Sequence, residues 1–229
     1  MGRFLSFAVL LTLAACGGSK SPEERGRSYF VGMGCITCHR VGEQGGGQAG
    51  PDLTTVGFRK TPEWLDLWLK NPSDWKPGTA MPNFKLRDNV RSDLVAYMAS
   101  LKGDLYRRNP PWDATGLKDD PVKRGEVLFN RVGCVGCHGD HGKGGYTNNN
   151  VVGGKILSLT YVADGYSKEE LKTLLRAGRV SEPADAAQPA PMIRMPAWKD
   201  YLNEDEMDAL VDYLFSLKPA PKAGDDWGE

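Results

Sequence analysis

At 229 residues the chain is long for one compact domain and comfortable for two of roughly 100 residues each. Its composition, 40% hydrophobic and 25% charged, allows a buried core and a soluble surface. Lysine plus arginine number 29 and aspartate plus glutamate 29, so no basic surplus marks a nucleic-acid partner.

Residues 1–15 read as a secretory signal. Arg3 supplies the positive start, and Phe4 to Ala15 form an apolar run too short to span a bilayer comfortably. Leu13-Ala14-Ala15-Cys16 resembles the bacterial lipobox, in which the cysteine is acylated and becomes the mature N-terminus. The plainer alternative is cleavage after Ala15 with Cys16 a stray thiol; an unpaired cysteine is unusual in an exported protein, which favours lipidation. Residues 16–20 then form a tether. No later run is apolar for long enough to cross a membrane. The mature chain is therefore expected on the periplasmic side of a bacterial membrane, anchored through Cys16.

The first domain is expected over 21–103. Ser21-Pro22-Glu23-Glu24 is a capping box with proline at the first helical position, and it opens a helix. GCITCH follows at 34–39. TPEWLDLWLKNP predicts a middle helix capped by Thr61 and stopped at Asn71-Pro72, with Trp64 and Trp68 one turn apart as core residues. Met81 lies in KPGTAMPNF, before a last helix ending in DLVAYMASLK. Residues 104–119 form a linker whose Asn109-Pro110-Pro111 and Gly116 predict an extended, semi-rigid course.

The second domain, expected over 120–218, repeats the first. Arg25-Gly26, Phe30 and Gly34-Cys35 recur as Arg124-Gly125, Phe129 and Gly133-Cys134, and DLVAYMASLK recurs as ALVDYLFSLK. Asp120-Pro121 opens its first helix, GCVGCH follows at 133–138, and SKEELKTLLRAG is its middle helix. Asn203 and Glu206 cap its last helix, where Met207, Leu210, Val211, Leu214 and Leu217 share one apolar face. Glu204, Asp205 and Glu206 suit a helix N-terminus and imply no partner. Residues 219–229 are a tail.

Two cysteines, two residues and a histidine suit zinc, a redox dithiol or a covalently held haem. A structural zinc site needs four ligands, and each motif offers three at most. A redox dithiol has no use for the histidine. Haem uses every position: the thiols of Cys35 and Cys38, and of Cys134 and Cys137, add to the vinyl groups, and His39 and His138 reach the iron. The chain holds three histidines, and the third, His141, follows His138 too closely to reach the opposite face. Methionine remains for the sixth position. Met81 and Met195 both precede a proline, with Phe84 and Trp198 three residues on; Met192 is the rival in the second copy, without that proline.

Each half thus resembles a class I, mitochondrial-type cytochrome c domain, and the whole resembles bacterial diheme cytochromes c anchored as lipoproteins. The resemblance implies an all-α fold, two tandem domains of short helices and long loops around two covalently attached haem c groups. It places Gly26, Phe30, Gly125 and Phe129 at close helix crossings with Leu94-Tyr97 and Leu210-Tyr213. It makes the Pro51 carbonyl of GPDL the group that orients His39. The second copy has no Gly-Pro after its motif, so the carbonyl for His138 is left open. His/Met ligation at both irons implies outer-sphere transfer of single electrons between exported or membrane-bound redox partners, such as a respiratory complex or another cytochrome. The alternatives are a cytochrome subunit of a larger membrane oxidoreductase and a diheme peroxidase; scarce histidine argues against the latter.

Overall fold

The computed structural model describes residues 19–46, 49–148, 150–188 and 191–220; the expected signal segment, Cys16 and residues 221–229 of the tail lie outside the described residues. Among the described residues the chain is helical, and strand pairing is limited to isolated bridges. The first half runs α1 (Pro22–Gly32), α2 (Cys35–Cys38), α3 (Val56–Arg59), α4 (Pro62–Lys70), α5 (Pro72–Trp75) and α6 (Asp88–Ser100). After α7 (Asp104–Arg108) come α8 (Pro121–Arg131), α9 (Val135–His138), α10 (Val162–Gly165), α11 (Lys168–Ala177) and α12 (Glu204–Ser216). The fold is all-α, as the sequence implies.

Short polar side chains set the helix starts. Ser21 and Glu24 form a reciprocal capping box on α1, and Ser167–Glu170 and Asn203–Glu206 do so on α11 and α12. Thr61 accepts from the Trp64 N–H to cap α4, and Asp120 accepts from Lys123 to cap α8. Each cap satisfies an N–H that the first turn leaves unpaired, worth about 1 kcal/mol.

Each half is built on a crossing of its first and last long helices. A Cβ added at Gly26 would fall 2.0 Å from the Asp93 carbonyl oxygen, and one at Gly125 would fall 2.0 Å from that of Ala209. Only glycine permits that approach. Phe30 meets Tyr97 with ring centroids 5.5 Å apart, and Phe129 meets Tyr213 at 5.4 Å. The sequence repeat is thus a repeat of contacts.

In the first half a charged clamp joins the same helices. Arg25 Nε and Nη2 donate to the two Asp93 carboxylate oxygens, each at 2.7 Å, and this holds the Asp93 carboxyl below its ordinary pKa. A depressed carboxyl pKa stabilises the fold above the unfolded value and loses that contribution as pH falls through the folded one. Thermal melts at descending pH are therefore expected to show a shallower acid decline for Asp93→Asn than for the parent chain; parallel curves would remove this pair from the acid response.

The linker differs from expectation. Instead of running extended, residues 104–119 form α7 and a 3-10 turn at Pro111–Asp113. Tyr106 and Trp112 are 1% and 2% exposed and belong to the core of the second half. Trp112 Nε1 donates to Glu206 at 2.7 Å, and the Tyr106 hydroxyl donates to Asp52 and to the Gly42 carbonyl. Proline and glycine signals describe the local backbone, whereas burying two large aromatic rings with their polar ends satisfied outweighs them.

Candidate haem sites

A cavity of about 850 Å³ lies in the first half and reaches the second. Cys35, Cys38, His39 and Met81 all line it. Gly34 enters α2 at φ 79°, a left-handed conformation that suits glycine, and the single turn that follows carries both thiols. His39 Nδ1 lies 2.9 Å from the Pro51 carbonyl oxygen. A carbonyl can only accept, so Nδ1 carries the proton and Nε2 keeps its lone pair. Gly50 leaves room for the ring, since a Cβ there would fall 2.5 Å from His39 Cε1. Burial holds the imidazole below its ordinary pKa against the opposing Pro51 carbonyl and Asp52, which favours the neutral, ligating form.

Met81 Sδ accepts a hydrogen bond from Trp68 Nε1 at 3.0 Å. Trp68 also stacks on Trp64, centroids 5.3 Å apart, as its spacing suggests, so its role exceeds packing. A half-buried indole N–H that needs an acceptor is the signal available in the sequence. Which acceptor it finds depends on how the loop after α5 folds back. Trp64 Nε1, on the same cavity wall, is buried without a partner.

In the second half, Gly133 at φ 87° leads into the turn that carries Cys134, Cys137 and His138. Burial pushes the Cys134 thiol up to about 12 and raises Cys35 as well. A reactive dithiol needs the opposite shift. Burial also lowers the His138 pKa, and the Leu157 carbonyl opposes that shift. His138 Nδ1 nevertheless has no hydrogen bond of acceptable geometry. Leu157 is thus the candidate for the carbonyl the sequence leaves open. Met195 exchanges two backbone hydrogen bonds with Arg179, 2.9 Å each, and packs on the core that contains Cys134. Met192 packs on the core of the first half instead.

The two motifs meet. Cys137, Ile156 and Ile193 reach the first cavity from the second half. Thr55 Oγ1 donates to the Val132 carbonyl at 2.6 Å, Arg131 donates to Glu43 at 2.5 Å, and the Lys76 ammonium sits 3.7 Å from the Tyr146 ring centroid. These partners are far apart in the chain, and no local pattern announces them.

The residues fit a c-type haem: paired thiols on one turn, a neutral imidazole, a thioether and an unpaired indole N–H share one largely apolar cavity. Comparison with known proteins agrees. The cytochrome c family model matches residues 23–102 and again 122–218. The chain is 33% identical to cytochrome c6 of Euglena gracilis over 83 residues, which covers 34% of this chain and 75% of that protein. It is 43% identical to cytochrome c of Trypanosoma brucei brucei over 47 residues, 20% of this chain and half of that protein. No solved structure matches it. Such domains bind haem c covalently and carry electrons, and with two matched segments spanning most of its length this chain belongs to the cytochrome c family.

Proposed function

We propose that the chain is a diheme electron-transfer cytochrome c, exported and held at a bacterial membrane surface by acylation of Cys16. In this reading Cys35 and Cys38 attach one haem and Cys134 and Cys137 the other. His39 and Met81 ligate the first iron, and His138 and Met195 the second. The observation that carries it is the convergence of Cys35, Cys38, His39 and Met81 on one cavity, with His39 Nδ1 held by Pro51. Bound haem supplies the one-electron chemistry. The chain's own residues hold the imidazole in its ligating tautomer, exclude water with Trp64, Trp68 and Leu65, and offer Trp64 Nε1 to an acceptor such as a haem carboxylate. Packing of Met195 with the Cys134 core favours it over Met192. The partners are exported or membrane-bound redox proteins, a respiratory complex or another cytochrome among them.

A haem count on the denatured protein tests the reading: two haems per chain are expected, and one would overturn it. Trp68→Phe supplies a finer check. An N–H aimed at the Met81 sulfur withdraws electron density and favours ferrous iron, so its loss is expected to lower the first haem's potential while the fold persists. An unchanged potential would leave Trp68 as packing alone.

A further inference from the structure

The loop that carries Met195 is held by both halves of the chain. In its own half, Arg179 and Met195 pair through their two backbone hydrogen bonds of 2.9 Å. Gly178, the C-cap of α11 at φ 69°, packs close behind. A Cβ added there would fall 2.7 Å from the Met195 carbonyl oxygen and 2.6 Å from the Pro196 carbonyl carbon. Two residues before the methionine, Ile193 belongs to the other half. It is 8% exposed and a buried member of the first half's core, with Met192 packed against that core beside it. Ile193 also lines the cavity that holds His39 and Met81. Only the exposed Arg194 separates the stretch set in the first core from the methionine packed on the second.

The repeat is asymmetric here. In the first copy the residue two before the methionine is Thr79, whose hydroxyl accepts the Met81 N–H at 3.3 Å. Trp68 donates to the Met81 sulfur from α4. Both bonds lie within the first half. Where Thr79 holds Met81 locally, Ile193 ties the Met195 loop to a different core.

We propose that Ile193 is a positioning residue for the second haem's sixth ligand: seated in the first half's core, it holds Met195 at the iron bound through His138. This rests on the diheme reading above, with Met195 as ligand. A methionine leaves iron when its loop opens locally, and the packing of that loop sets how often it opens. A two-residue arm reaches at most about 7 Å, so withdrawal of Met195 pulls on the seat of Ile193. A close-packed core resists that pull. The first half thereby steadies a ligand of the second.

The test uses the full holoprotein. A haem count and a redox titration of Met195→Ala come first. Fewer than two haems, or no wave moved by Met195→Ala, would sink the diheme reading whatever Ile193 does. Added imidazole binds a ferric haem where the methionine has left, so its apparent affinity rises with the population of the opened state. Ile193→Ala is then expected to bind imidazole roughly tenfold tighter at one haem. The redox wave that falls should be the one that Met195→Ala also lowers. The similarly sized Ile193→Leu should stay near the parent, and should Ile193→Ala lose a haem, Ile193→Val is expected to show the same direction at smaller size. Because Ile193 also walls the first cavity, the identity of the affected haem decides. With two haems present, unmoved imidazole affinity and potentials would overturn the proposal. So would changes confined to the haem that depends on Met81.

Discussion

Met81→Ala is expected to halve the Met–Fe(III) near-infrared charge-transfer band of the oxidised protein. It is also expected to lower one haem's potential by a sizeable part of the ~0.8 V range that axial ligands command. A thioether stabilises ferrous iron, and its removal leaves water or an open position. On the proposed His/Met ligation, the ferrous variant should then bind carbon monoxide and the parent chain should not. His39 is expected to keep its bond to Pro51 in this variant, because Nδ1 makes that contact and Nε2 is the ligating nitrogen of the proposed site. Met195→Ala is expected to remove the other half of the band, and Met192→Ala to leave it whole. The packing of these two methionines on different cores is the reason. Full band intensity in Met195→Ala, with loss in Met192→Ala, would reassign the second ligand.

Gly125→Ala is expected to cost about 3 kcal/mol or more, at the upper end for overpacking. The new methyl group would start 2.0 Å from the Ala209 carbonyl oxygen and 2.6 Å from Tyr213 Cβ, and backbone on one side cannot rotate away. α8 and α12 must then separate, which loosens Phe129 from Tyr213 and opens the core around Leu128 and Leu210, both 1% exposed or less. For a chain of this size the loss corresponds to a fall of roughly 6–12 °C in melting temperature. Gly26→Ala should behave alike against Asp93 and Tyr97. Gly32→Ala is the control: its Cβ would meet nothing within 4 Å, and the gain in helix propensity should stabilise slightly. A Gly125→Ala protein that melts with the parent would refute the crossing as a determinant of stability.

Much of this was legible in the chain because it is local. Ser21, Thr61, Asp120 and Asn203 cap the helices their positions announce, since a cap needs only a side chain two or three residues from an unpaired N–H. The paired glycine and aromatic positions of the first helices are a repeat visible by eye, and they pack as one. Other roles were hidden. Trp68 reads as a core residue from its spacing to Trp64, yet its donor meets Met81. Tyr106 and Trp112 sit in what the prolines mark as an extended linker, and both are buried. His138 lacks a Gly-Pro signal, and only the folded chain brings Leu157 near it.

By itself the sequence determined what bonds within a turn can encode: helix starts, the attachment turns, the helix crossings implied by small and aromatic residues, and the short supply of histidine that turns attention to methionine. The tertiary structure alone decided how the two halves meet. Thr55 reaches Val132, Arg131 reaches Glu43, and Arg59 lies over Gly133, across separations at which side-chain identity carries no record of the partner. Burial makes those contacts specific. At the interface Thr55 Oγ1 and Arg131 Nη2 find acceptors that the docking of the halves provides, and an unpaired polar group there is costly.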